Sequence, residues 1–283
     1  PTTYTQKMNG TTDPMAAIMA TIPDRKQLRD MRVTSNTAMG TRYSLLKLTP
    51  ADNQPMPRVL PGQFVQVAVP GSTETMLRRP ISVNYYDADK RELSLLVARA
   101  GRATDILADI AADTSINILF PLGNTFPLTD LDGRTVTLIG GGVGTAPLLY
   151  YAAWLRANTK ADVNIVLAAR TADDVLMFDR FAAHGAMAVT TDDGTMGAKG
   201  FATDSPMLTQ GPADIWCVCG PAPMMKAVTA LARKRGAECH ASLENMMACG
   251  LGACLCCVEK TVKGNVCVCT EGPVFDINEL TWE

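Results

Sequence analysis

Between residues 25 and 128 the apolar positions come in short runs broken at close intervals by turn formers. Phe64-Val65-Gln66-Val67-Ala68-Val69 and Leu93-Ser94-Leu95-Leu96-Val97 are bounded by Gly, Pro, Asp and Asn. Pro61-Gly62, Pro70-Gly71 and Asp87-Ala88-Asp89 mark turns. Strands at this spacing predict an antiparallel barrel, with a short helix over 105–112. The pattern changes after residue 133. Apolar strands at Thr135–Ile139, Val163–Ala168 and Ile215–Cys219 alternate with helical stretches from Pro147 to Leu155 and from Pro223 to Arg235. Gly236 is a natural stop for the second of these. Strand–helix alternation predicts a doubly wound parallel sheet. Divisions follow at residues 1–24 (an N-terminal arm), 25–130 (barrel), 131–236 (nucleotide-type α/β domain) and 237–283 (a cysteine-rich tail).

Composition narrows the classes. Hydrophobic residues make up 47% and charged residues 19% of 283, as in a globular protein, and net charge is −2. That balance carries no footprint for nucleic acid. The long uncharged stretch from Thr135 to Leu155 holds Gly140, Gly141, Gly142, Gly144 and Pro147, and reads as strand, turn and buried helix rather than a membrane span. The arm reads as a loose extension or subunit contact, not a signal peptide, and the cytoplasm is the expected compartment.

The tail carries the strongest chemical signal. No cysteine precedes Cys217, yet six of the nine fall between Cys249 and Cys269. Cys249-x4-Cys254-x2-Cys257, closed at a distance by Cys269, is the spacing of a plant-type [2Fe–2S] site. Three other readings compete. Disulfides need an oxidising compartment, and an odd cysteine count fits them poorly. Zinc could take Cys254, Cys257, Cys267 and Cys269. Packing explains one or two buried cysteines, not this density. Cys267 competes with Cys269 for the fourth position, and Cys256 is surplus.

Four motifs outside the tail suggest nucleotide binding. Gly140-Gly141-Gly142-Val143-Gly144-Thr145-Ala146-Pro147 joins a strand to a helix, where backbone N–H groups and the helix dipole favour a pyrophosphate. It departs from G-x-G-x-x-G at Thr145, so a tight structural turn stays open as the alternative. Cys219-Gly220-Pro221 ends a second strand and could frame the same crevice. Arg78-Arg79-Pro80-Ile81-Ser82 offers a diphosphate clamp and a hydroxyl, or a solvated arginine pair. Gly101-Arg102-Ala103-Thr104 is either a phosphate turn or a capped helix start. Asp173 and Asp174 either meet an adenosine ribose or begin a solvated helix. His184, at a helix end where positive charge suits the dipole, and His240, in the connection toward the tail, read as structural.

Together these motifs resemble the ferredoxin–NADP reductase superfamily. Within it they are most similar to the electron-transfer subunits of NAD-dependent, two-subunit dihydroorotate dehydrogenases. Ser242–Cys254 and Val268–Phe275 carry the narrower likeness, and Thr190–Thr195 fits as well. The resemblance implies a flavin-binding β-barrel, a parallel-sheet NAD domain and a small [2Fe–2S] domain. It implies FAD at Arg79, Pro80, Ile81 and Ser82, with the rest of the flavin nucleotide held by Leu96, Val97, Ala98, Ala103 and Thr104. NAD would be held by Gly141, Gly142, Gly144 and Thr145, with Cys219 and Gly220 near the nicotinamide. The cluster ligands would be Cys249, Cys254, Cys257 and Cys269. Isoleucine at position 81 replaces a flavin-stacking aromatic common in the superfamily.

The chain itself shows no group placed to take a proton from dihydroorotate. The resemblance assigns that step to a separate FMN-containing catalytic subunit, in a heterotetramer serving pyrimidine biosynthesis. A sulfide dehydrogenase or ferredoxin–NADP reductase subunit built from the same parts is the alternative. A zinc-binding regulatory module on an inactive reductase fold is a third reading.

Overall fold

The computed structural model describes residues 26–71 and 75–282; the N-terminal arm lies outside them. Six strands close an antiparallel barrel in the order β1-β2-β5-β4-β3-β6. They are β1 (Gln27–Met39), β2 (Tyr43–Pro50), β3 (Phe64–Val67), β4 (Arg79–Asp87), β5 (Glu92–Ala98) and β6 (Ser115–Leu122). Met31, Val33, Leu46, Leu48, Val65, Val67, Val83, Leu95 and Phe120 fill its interior. The barrel helix runs from Arg102 to Ala108, earlier than the expected 105–112. Asn36 Nδ2 donates to the Ala108 and Ile110 carbonyls at 3.0 and 2.8 Å, taking them out of any further helical turn.

The second layer is a seven-stranded sheet in the order β10-β9-β8-β7-β11-β12-β15. Its strands are β7 (Thr135–Gly141), β8 (Asp162–Ala169), β9 (Ala186–Thr191), β10 (Ala198–Lys199), β11 (Ile215–Cys219), β12 (Glu238–Ser242) and β15 (Val274–Asp276). All pair in parallel except β15, which runs antiparallel to β12 with Ala241 opposite Phe275. Helices Ala146–Asn158 and Ala222–Arg235 flank the sheet. The sheet therefore takes strands from both sides of residue 236. His240 lies within β12, opposite Cys217 and Asp276, and not in a connection as expected; its Nε2 is 3.0 Å from Glu238 Oε1. His184 does follow a helix end, but burial, with Arg180 and Arg156 nearby, pushes its pKa down and disfavours the charged form the dipole argument called for.

From β12 the chain enters the cysteine loop and a hairpin of β13 (Val258–Thr261) and β14 (Gly264–Cys267), then returns to the sheet as β15. Asn124, just after β6, pins this return. Its Nδ2 donates to the Glu271 and Val274 carbonyls, both at 2.8 Å, and its Oδ1 accepts from the Val274 N–H at 3.0 Å. No helix among the described residues is long and apolar enough to cross a membrane.

Candidate functional site

Strand register builds the first part of the site. The first half of β4 pairs with β3, placing Phe64 opposite Ser82 and Val67 opposite Arg79. The second half pairs with β5, beginning at Val83 opposite Leu95. Beyond that point β4 and β5 part. The edges of Arg79–Ser82 and Leu96–Ala98 that would otherwise face each other carry no ladder pairing. Two segments singled out separately in the sequence thus border one slot, with Ala103 and Thr104 in the helix that follows β5. Unpaired strand edges are a supply of N–H and C=O groups for a planar, polar ring system. Thr104 does not cap from outside the helix: its Oγ1 accepts from the Ala100 N–H and donates to the Gly101 carbonyl, both at 2.9 Å.

The arginine pair divides its labour. Arg78 is not solvated; it donates to the Gln66 carbonyl at 3.3 Å, the Asn117 carbonyl at 3.1 Å and Asn117 Oδ1 at 2.6 Å. Among the described residues Arg79 reaches only the neighbouring Leu77 and Arg78 carbonyls, at 3.0 and 3.4 Å, and has no acidic partner. Its guanidinium is the one of the pair left for an anion.

The glycine turn borders a cavity of about 620 Å³, lined by Ala98 and Tyr43 on the barrel side and by Gly141, Gly142, Gly144 and Gly220 on the sheet side. The carboxyl ends of β7 and β11 frame it, where open parallel sheets bind ligands. A Cβ on Gly144 would lie 2.5 Å from Gly220 Cα and N and 2.6 Å from the Cys219 carbonyl carbon. Only glycine lets the two strand ends close this far. Thr145 and Cys219 sit behind the cavity wall. Thr145 Oγ1 donates to the Gly142 carbonyl at 2.9 Å, and burial, aided by the Glu244 carboxylate, pushes the Cys219 thiol well up. Asp174 lines the same cavity, where it is paired with Arg42 and Tyr43.

Among the lining residues that sequence reasoning missed are Arg42, Tyr43, Phe201 and Glu244. Of these four, Glu244 carried a signal, since it stands inside the Ser242–Cys254 stretch. Glu244 is exposed at the mouth of the cleft, yet the protein mass around its carboxyl still disfavours the charge and raises its pKa.

The cysteine loop packs on the outer face of the barrel. Gly250, at φ +70°, lies so close that a Cβ there would meet Gln66 Cγ at 2.9 Å and Leu122 Cδ1 at 3.0 Å. Backbone N–H groups point at three sulfurs: Leu251 at Cys249 (3.3 Å), Gly252 at Cys269 (3.2 Å) and Cys269 at Cys257 (3.4 Å). Such donors favour the thiolate that ligates iron. The Leu251 N–H, chiefly, draws the Cys249 thiol down to about 6, whereas burial and the adjoining Cys257 push Cys269 up to about 12. Cys249 contacts Cys254, and Cys257 contacts Cys269. Among the described residues no three His, Cys, Asp or Glu groups converge on a single ion. A two-iron cluster asks instead for two thiolate pairs, so the donor set fits it. Cys267 also touches Cys257, but its own sulfur meets the Gly252 carbonyl at 4.0 Å and no N–H.

A closed barrel, a doubly wound sheet and a glycine-lined cleft between them define a nicotinamide-dependent flavin reductase, here with an iron–sulfur domain appended. The family model for the iron–sulfur cluster binding domain of dihydroorotate dehydrogenase B matches residues 244–281, and that for the oxidoreductase NAD-binding domain matches residues 138–230. The chain is 38% identical over 250 residues to the dihydroorotate dehydrogenase B (NAD(+)) electron transfer subunit of Lysinibacillus sphaericus, covering 87% of this chain and 95% of that one. It is 39% identical over 225 residues to the same subunit of Shouchella clausii, with coverages of 78% and 86%. Among solved structures, an NADH-dependent reduced ferredoxin–NADP oxidoreductase superposes with a TM-score of 0.78 at 27% identity, covering 89% of this chain and 90% of that chain. The cytochrome b5 reductase domain of Ulva prolifera nitrate reductase shares the fold, with a TM-score of 0.62 at 17% identity, over 75% of this chain and 94% of that one.

The chain belongs to the family of dihydroorotate dehydrogenase B electron transfer subunits. It is an oxidoreductase subunit whose cofactors are FAD, a [2Fe–2S] cluster and NAD, and as an electron transfer subunit it works with a catalytic partner. The iron–sulfur match sets aside the zinc reading.

Proposed function

We propose that this chain carries electrons from a dihydroorotate-oxidising, FMN-containing catalytic subunit to NAD+, as part of a cytoplasmic heterotetramer in pyrimidine biosynthesis. FAD supplies the conversion between one-electron exchange with the cluster and two-electron exchange with the nicotinamide. In this reading Cys249, Cys254, Cys257 and Cys269 hold the cluster. Arg79 clamps the flavin diphosphate, and Pro80, Ile81 and Ser82 with the Leu96–Ala98 edge line the ring slot. Ala103 and Thr104 hold the remainder, and Gly141, Gly142, Gly144, Thr145, Cys219 and Gly220 shape the NAD crevice.

One observation carries the reading. Gly250 of the cysteine loop packs against Gln66, whose β4 partner is Pro80, inside the flavin motif. One strand pair therefore separates the cysteine loop from the slot. Exposed Met246, Leu251 and Leu255 surround the cysteines, an apolar surface suited to a partner subunit.

The first test is the visible spectrum of anaerobically purified protein with iron, sulfide and flavin quantified. About two irons, two sulfides and one FAD per chain are expected. The second is reconstitution with the catalytic subunit encoded by the same organism: dihydroorotate-dependent NAD+ reduction should require both chains. Ferredoxin- or sulfide-dependent turnover in place of dihydroorotate would overturn the proposal.

A further inference from the structure

Gln66 is a polar residue in an apolar seam. On β3, Val65 and Val67 point into the barrel core, whereas Phe64 packs in the cluster that includes Leu122, Val268 and Cys269. Alternation turns Gln66 to that same outer face. Its cross-strand neighbour on β6 is Leu119, and the loop backbone at Gly250 lies over it. The residue is fully buried. Neither Nε2 nor Oε1 has a hydrogen-bond partner among the described residues. A buried amide without partners is costly, and such groups ordinarily find one. The barrel supplies it no partner: Arg78 nearby bonds the Gln66 backbone carbonyl and Asn117, not the side-chain amide.

The segment lying over the amide is the cysteine loop. A Cβ on Gly250 would lie 3.4 Å from Gln66 Nε2, so the amide reaches the loop with no side chain between. Gly250 adjoins Cys249, whose sulfur is part-exposed and already takes an N–H from Leu251. The group due in this loop is rich in sulfur acceptors, which is what an orphaned N–H requires.

We propose that Gln66 donates a hydrogen bond from Nε2 to the sulfur shell of the [2Fe–2S] cluster and thereby raises the cluster's reduction potential. Reduction adds one electron and one unit of negative charge to the cluster. A donor aimed at its sulfurs stabilises that charge more than it stabilises the oxidised form. The amide transfers no proton and no electron, so Gln66 is a positioning residue for charge. It lies on the strand facing Pro80, on the flavin side of the loop, where a polar bond favours electron arrival next to the slot.

The inference rests on the cluster reading, and its test separates the two. Gln66→Met and Gln66→Leu remove the amide within an apolar pocket that accepts them. Leu122→Met alters the same seam without touching a polar group. Each full-length variant is purified anaerobically, assayed for iron and sulfide, and titrated by EPR-monitored potentiometry. With cluster content equal to wild type, the Gln66 variants should show a more negative midpoint and shifted g-values. A tenfold change in the one-electron equilibrium constant corresponds to about 59 mV. Leu122→Met should leave the midpoint in place. An unchanged midpoint in both Gln66 variants, or an equal shift in Leu122→Met, overturns the inference. A wild-type chain lacking iron and sulfide would instead sink the cluster reading beneath it.

Discussion

Arg42 Nη1 lies 3.1 Å from Asp174 Oδ1, and the same carboxylate oxygen accepts the Tyr43 hydroxyl at 3.3 Å. The barrel's β1–β2 turn is thereby tied to the segment after β8. Burial, with the Asp174 charge, raises the Tyr43 pKa, so the hydroxyl stays a donor at neutral pH. Neither reading of Asp174, ribose ligand or solvated helix start, included this pairing: the carboxylate lines the cleft and at the same time spans the two domains.

Asp174→Asn should therefore leave the preference for NADH over NADPH nearly unchanged. The ion pair is open to solvent on the Arg42 side, with the Asp174 side chain 13% accessible, and implies a stability loss on the order of 1 kcal/mol. Ferricyanide reduction with each nucleotide gives the ratio of kcat/KM values. A loss of NADH preference of about tenfold or more would show that the carboxylate serves the ribose after all.

Gly144→Ala probes the crevice. The added methyl would meet the backbone of Cys219 and Gly220, which cannot rotate aside. Overpacking of this kind costs about 1–3 kcal/mol and would force the ends of β7 and β11 apart. NADH-dependent ferricyanide reduction should fall steeply while flavin absorbance and iron content hold. Wild-type turnover with wild-type thermal stability would mean that these strand ends do not frame the nucleotide site.

What could be read from the sequence was local. The runs at β7 and β11 are largely apolar because parallel strands are buried on both faces; β7 ends at Gly141, and Gly220 follows β11. The cysteine spacing is a local property of one loop. The slot was not legible as a slot, because it arises where β4 exchanges one partner for another, a matter of register. Arg78 and Arg79 look equivalent in sequence; Asn117, on β6, separates their roles. β15 has three residues, too few for any pattern, and its place beside β12 depends on Asn124 about 150 positions away. Gln66 reads as an ordinary polar position in a strand until the loop bearing Cys249 covers it.

The ligand set has a direct check. Cys254→Ser and Cys269→Ser should lose iron and sulfide while FAD remains, since the flavin slot lies on the barrel. Cys256→Ser and Cys267→Ser should keep about two irons and two sulfides per chain. The contrast between Cys267 and Cys269 is the sharper half. Cys269 takes the Gly252 N–H and is buried, whereas Cys267 has no such donor. A Cys267→Ser protein devoid of iron would exchange their assignments.

Glu244 gives the fold a pH dependence of known sign. Desolvation raises the carboxyl pKa of this part-solvated group in the folded chain, and among the described residues no cation offsets this. The folded state consequently binds the Glu244 proton more tightly than the unfolded state, whose value is about 4.3. Below the unfolded value both states are protonated and the folded chain has the full benefit. As pH rises through the folded value that benefit is lost. Glu244→Gln removes the titration. Urea midpoints taken from about pH 5 to about pH 8 should therefore diverge, the variant growing more stable relative to wild type as pH rises. The difference should be modest, because the cleft admits water. A variant that instead loses ground with rising pH would mean that the folded state stabilises the Glu244 carboxylate, reversing the sign argued here.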